Sequence, residues 1–158
     1  MERIMEFNKP VENPKLIGVI KLMQENQTPN YKKMFWEEFM NSEYLVPVFI
    51  DPEPEHGANG HMRIGPGSKM RFPTLTAPDG RELLPAYTDK EELGKWKTEG
   101  QVYTCAFTFD DFVRMLLYGD TDEVRQNTAG IVLNPFGSNI IISKDTIANI
   151  ILGRKKSN

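Results

Sequence analysis

Two hydrophobic periodicities alternate along this chain, and their order restricts the fold more than any other feature. Some stretches repeat apolar residues every three or four positions, as a half-buried helix does; others alternate at every second position, as a half-buried strand does. Asn13 suits an N-cap and Pro14 a first helical position, and Leu16, Val19, Ile20 and Met23 then share one face, which predicts a helix over 14–25. Thr28-Pro29 opens a second helix running to about Met40. Tyr31, Phe35 and Phe39 form one row of it, and Trp36 and Met40 form the next row round. That apolar arc is wider than packing against one layer demands.

The remaining elements follow the same logic. Tyr44–Ile50 is apolar and β-prone, with Pro47 marking an edge or a bulge because it donates no ladder hydrogen bond. Residues 51–69 are rich in Gly, Pro and charge and read as an exposed loop. Met70–Thr76 and Glu82–Tyr87 read as a hairpin across Ala77-Pro78-Asp79-Gly80-Arg81. Thr88-Asp89-Lys90-Glu91 has the pattern of a capping box and predicts a short helix ending near Trp96. Val102–Phe107 alternates, and Thr108 then caps a helix with Phe109, Phe112, Val113 and Leu116 inward. Ile131–Leu133 and Ile140–Ile142 are short strands joined by residues 134–139. Ser143 caps a last helix with Ile147, Ile150 and Ile151 inward, and Gly153 is placed to stop it. The order is ααβββαβαββα with no repeat and no dividing linker. Hairpins mixed with helical crossovers predict one α+β domain, a mixed sheet covered by helices.

Composition excludes several classes. The 19 Lys and Arg against 22 Asp and Glu leave a formal charge of −3, too balanced for an electrostatic nucleic-acid binder. The basic cluster Arg154-Lys155-Lys156 reads as a frayed, solubilising end, with residues 153–158 as a tail. No apolar run approaches the ~20 residues of a membrane helix, and the first residues lack a signal-peptide core. A single cysteine, Cys105, suits a reducing compartment. The expectation is a cytoplasmic protein with no membrane and no nucleic-acid partner.

The stretch Leu84-Pro85-Ala86-Tyr87-Thr88-Asp89-Lys90-Glu91-Glu92-Leu93 through Trp96 resembles a signature of the SseB N-terminal-domain family. So do Phe107–Phe112 and Gly130-Ile131-Val132-Leu133-Asn134-Pro135-Phe136-Gly137, the last being the most specific. Glu12-Asn13-Pro14 and Tyr44–Val48 resemble that family's start, so the likeness runs from about residue 12 to 152. The resemblance implies a family named for a serine-sensitivity phenotype in enteric bacteria, with no settled reaction and no catalytic residues to carry over. The expectation is a single-domain member, with a long insert at 51–69 and without the C-terminal domain that longer members carry.

Candidate chemistry is sparse. His56 and His61 share the loop with several carboxylates, and the five-residue step from one to the other could close a chelate. No helical ligand pair or cysteine joins them, so a solvated loop and no metal are expected. Cys105 alternates in register with Tyr103 and Phe107 and reads as a core thiol rather than a nucleophile. Asp110 and Asp111 lie in a helix's first turn, where the dipole favours acids, and adjacent helical positions point about 100° apart, which favours a capping role over acid–base pairing. No phosphate-binding glycine loop is present. Residues 134–139 form either a rigid turn or the lining of a cleft.

The leading expectation is therefore a non-enzymatic binding or interaction module without a cofactor, recognising a protein or a small metabolite. Its candidate binding residues are Tyr31, Trp36 and Met40 on the second helix and Asn134, Pro135 and Phe136 in the loop. One alternative is a small enzyme using Asp110, Asp111 or Tyr87 near Asn134-Pro135. Another is a structural domain that associates with copies of itself as a homo-oligomer.

Overall fold

The computed structural model describes residues 7–51, 55–56, 62–63, 69–98, 102–118 and 127–156; for 55–56, 62–63 and 154–156 it describes the backbone alone. In chain order the elements are α1 (Pro14–Glu25), α2 (Pro29–Met40), β1 (Glu43–Asp51), β2 (Glu55–His56), β3 (Met62–Arg63), β4 (Lys69–Arg71), β5 (Leu75–Thr76), β6 (Glu82–Ala86), α3 (Lys90–Leu93), β7 (Tyr103–Thr108), α4 (Phe109–Leu117), β8 (Thr128–Leu133), β9 (Ile140–Ser143) and α5 (Lys144–Lys156). The class is α+β. No helix among the described residues is long and apolar enough to cross a membrane.

The ladders run β4-β1-β7 and β5-β6-β8-β9. β6 and β8 are parallel, and the other pairs in these two ladders are antiparallel. The two ladders join where Leu45 and Tyr87 exchange both backbone hydrogen bonds at 2.9 Å. Leu45 therefore points its N–H away from β7, and by strand alternation the nitrogen of Pro47 points the same way. Among the described residues none pairs with that side of β1 between the Tyr87 bridge and the β4 pairing at Phe49, so Pro47 removes no ladder bond there. The proline marks a local edge inside a central strand.

The strand expected over 70–76 is two strands. β4 pairs with β1 and β5 with β6, because Pro73 cannot donate to a ladder and breaks the run between them. The hairpin turn forms as expected: Ala77 N–H donates to Arg81 O at 2.8 Å, Gly80 N–H to Ala77 O at 2.8 Å, and Gly80 takes φ 91. Within 51–69, expected as plain loop, Glu55–His56 and Met62–Arg63 form a two-residue antiparallel ladder; the exposure expected there lies outside the described residues.

Period-2 alternation sorts the sheet into two faces. Tyr44, Val46, Val48, Leu84, Ala86, Tyr103, Cys105, Phe107, Ile131, Leu133 and Ile142 point to one face, with Leu16, Val19, Ile20, Phe35, Phe39, Phe112 and Ile147 of the helices packed over them. Leu45 and Tyr87 point to the other, with Val11 over them and Leu93, Trp96 and Ala106 around them. The helical face thus holds the core.

Two helix ends differ from expectation. Thr88 is buried and does not cap α3; Asp89 does, its carboxylate accepting from Glu92 N–H at 2.9 Å. Gly153 does not stop α5, which continues to Lys156. A glycine ends a helix when the chain turns left-handed there, and Gly153 is not among the positive-φ residues. By contrast Thr108 and Asp111 form the full capping box of α4, and Ser143 Oγ accepts from Thr146 N–H at 3.2 Å.

Candidate functional site

The second face of the sheet is covered by a strap, residues 8–13, and by the four-residue helix α3. Asn8 starts the strap at φ 58, a left-handed conformation that asparagine tolerates. Its N–H donates to Thr104 O at 2.9 Å, and its side-chain oxygen accepts from Thr104 N–H at 3.1 Å. Lys9 pairs with Glu43 at 3.3 Å, and Val11 buries against Leu45 and Tyr87. At the far end Asn13 Nδ2 donates to Glu43 O at 2.7 Å and to Thr88 O at 2.8 Å. Asn13 occupies the N-cap position of α1 but makes no side-chain cap bond. Its amide is spent on two carbonyls far away in sequence.

Thr88 is the hub of this face. Its N–H donates to Asn134 Oδ1 at 3.0 Å, Asn134 Nδ2 donates to Thr88 Oγ1 at 3.1 Å, and Thr88 Oγ1 donates to Asp89 at 2.9 Å. Asn134 is 3% exposed and sits at φ 50. Its N–H donates to Ala86 O, and its carbonyl accepts from Gly137 and Asn139. The loop after β8 is thus a rigid turn whose first residue clamps the junction between β6 and α3. A Cβ on Gly137 would come within 2.9 Å of the Glu92 carboxylate, so the turn also packs closely on α3.

Between strap and α3 lies a cleft of about 770 Å³. Val11, Ile17, Leu45, Leu93 and Val102 supply its apolar lining, and Lys9, Glu12, Asp89, Lys90 and Glu91 its charges. The size falls within the range of small-ligand sites, roughly 300–1,000 Å³. Tyr87 packs beneath with Val11, Leu45 and Leu93; its hydroxyl is buried without a hydrogen-bond partner among the described residues, and burial pushes the phenol well above its usual pKa.

None of the binding residues singled out from sequence lines this cleft, and Trp36 and Met40 pack on the helical face instead. Asn134 is the buried clamp, Pro135 is half-buried, and Phe136 is 48% exposed at the turn. Tyr31, Trp36 and Met40 are all half-buried; Trp36 meets Phe35 and Phe39 edge-on at 5.1 and 5.8 Å. Asp111 is buried in its capping box while Asp110 is exposed, so the adjacent carboxylates occupy different environments. Cys105 is buried on the helical face. His61 lies outside the described residues, and for His56 only the backbone is described. No group of three or more His, Cys, Asp or Glu is placed to hold a metal among the described residues.

Sequence reasoning missed the strap. Asn8, Lys9, Val11, Val102 and Thr104 carry no motif, and the one local signal is a lone apolar Val11 ahead of the Pro14 helix. Compared with known proteins, the chain matches the SseB protein N-terminal domain over residues 18–149. The match takes in Tyr44–Val48, Leu84–Trp96, Phe107–Phe112 and Gly130–Gly137 and begins after Glu12-Asn13-Pro14. No curated protein and no solved structure matches it. With more than half its length in that match, the chain belongs to the SseB protein N-terminal domain family.

Proposed function

We propose that the chain is a cytoplasmic, non-enzymatic binding module that takes a small metabolite in the cleft between the strap and α3. The observation that carries this reading is the cleft itself, anchored on both sides before any ligand arrives. Asn8 and Asn13 fix the two ends of the strap, and the Asp89 cap and the Thr88–Asn134 clamp fix the other wall. A preformed site spares the ordering cost that a loose one would carry. The enzyme alternative is less well supported. It needs Asp110, Asp111 or Tyr87 to act as an acid–base pair, yet Asp111 is committed to its cap and Tyr87 is a buried phenol held protonated.

The test is a thermal-shift panel of amino acids, amines and nucleotides, since any ligand of the native state raises the melting temperature by linkage. Hits are then mapped by amide chemical shifts. The expected result is shifts confined to residues 8–14, 89–93 and 102–104, lost when Val102→Trp fills the cleft. A panel without hits, or hits mapping to α2, sinks the proposal. The finer link to serine tolerance has its own check, growth on excess serine with and without the gene.

A second reading rests on Phe136, an exposed aromatic on a clamped turn, which suits a protein contact. Light scattering of the wild type and of Phe136→Ser separates self-association from capture of a different partner.

A further inference from the structure

Resting on the cleft as the binding site, we infer that it selects a small ligand carrying a protonated amine on an apolar body. The charged groups of the lining are Lys9, Glu12, Asp89, Lys90 and Glu91. Lys9 is held by Glu43 outside the cleft, at 3.3 Å. What remains is three carboxylates, Glu12 on the strap and Asp89 and Glu91 on the α3 side, against the single ammonium of Lys90. Glu12 and Glu91 make no ion pair among the described residues. A cation between the two walls would meet carboxylates from both.

Several of the donors around the cleft are already committed, and Lys90 supplies the one ammonium of the lining not held elsewhere among the described residues. Both bonds of Asn13 Nδ2 go to carbonyls, those of Glu43 and Thr88. The Thr104 N–H is taken by Asn8 Oδ1, and the Asn8 N–H by Thr104 O. An anion would face three carboxylates with one ammonium to offset them, whereas an amine finds acceptors on both walls. The apolar floor of Val11, Leu45, Leu93 and Val102 accommodates a hydrocarbon or aromatic body. The volume of about 770 Å³ suits a small molecule.

Three probes of one shape and different charge test this on the full chain: tryptamine, tryptophol and indole-3-acetate. Calorimetry should rank them in that order, with tryptamine about 3- to 10-fold tighter than tryptophol, as expected for one or two exposed ion pairs. The preference should shrink in high salt. It should vanish in the double variant Glu12→Gln, Glu91→Gln, which leaves the Asp89 cap intact. Equal affinities, a preference for the acetate, or a preference retained in that variant each overturn the amine inference while the cleft remains a binding site. Failure of all three probes overturns it too, and a panel with no hits anywhere removes the binding reading itself. A ten-residue peptide with one lysine runs in parallel; tighter binding by the peptide than by tryptamine overturns the small-ligand assignment.

Discussion

The two faces of one sheet are closed by different physics. On the helical face, α1, α2, α4 and α5 pack over the strands, and α2 and α4 bring an aromatic cluster to them, with Phe39 meeting Phe35, Tyr44 and Phe109 at ring-centroid distances of 5.9, 5.4 and 5.8 Å. A polar group in that layer, the Tyr44 hydroxyl, donates to Phe39 O at 2.8 Å. On the opposite face a strap and a one-turn helix bury far less, and hydrogen bonds from Asn8, Asn13, Thr88 and Asn134 hold them. Apolar packing is non-directional and fills space. A hydrogen-bonded brace fixes position without filling it, and so leaves a rigid cleft. The face that contributes least to the core is the one that holds the cleft.

The sharpest way to break this comparison is Phe39→Ala. Phe39 is fully buried, so its loss should cost about 3–5 kcal/mol in urea unfolding. A cost no greater than that of a brace variant would erase the distinction between the faces. Next is Trp36→Ala, which removes a half-buried ring packed edge-on to two others and should cost roughly half as much. Unchanged stability with lost self-association or partner capture would instead make α2 an interface.

On the other face, Asn134→Ala should cost about 1–2 kcal/mol, from two side-chain bonds and a left-handed backbone that alanine disfavours. Asn134→Gly keeps the backbone and loses the bonds; stability equal to wild type would show that the clamp contributes nothing. The smallest effect is expected from Gly137→Ala, under about 1 kcal/mol, because the group it meets is the movable end of Glu92. Its readout is sharper than stability: amide shifts should move in α3 and stay still in α2. Shifts of equal size in both helices would mean the faces are not separable.

Much of the fold was legible in the residues. The helices at 14 and 29, the apolar, β-prone run Tyr44–Ile50, the alternation of Val102–Phe107, the Ala77–Arg81 turn and the Thr108 cap all report local physics, and each is where the sequence places it. One group of misreadings concerns residues with more than one local use. Thr88 and Asp89 are both capable caps, and Thr88 lost that role because Asn134, 46 positions away, takes its N–H and hydroxyl. Asn13 was spent the same way on Glu43 and Thr88.

The candidate site was less legible still, since Asn8, Val11, Glu12, Leu93 and Val102 share no spacing and meet only across the folded sheet. Sequence by itself determined most of the elements, their buried faces and the α+β class, because propensity, capping and periodicity act within a few residues. Tertiary structure alone decided which polar side chains became braces and where the cleft opened. A hydrogen bond between residues 46 or 75 positions apart leaves no local trace; it forms only once the sheet has brought its ends together.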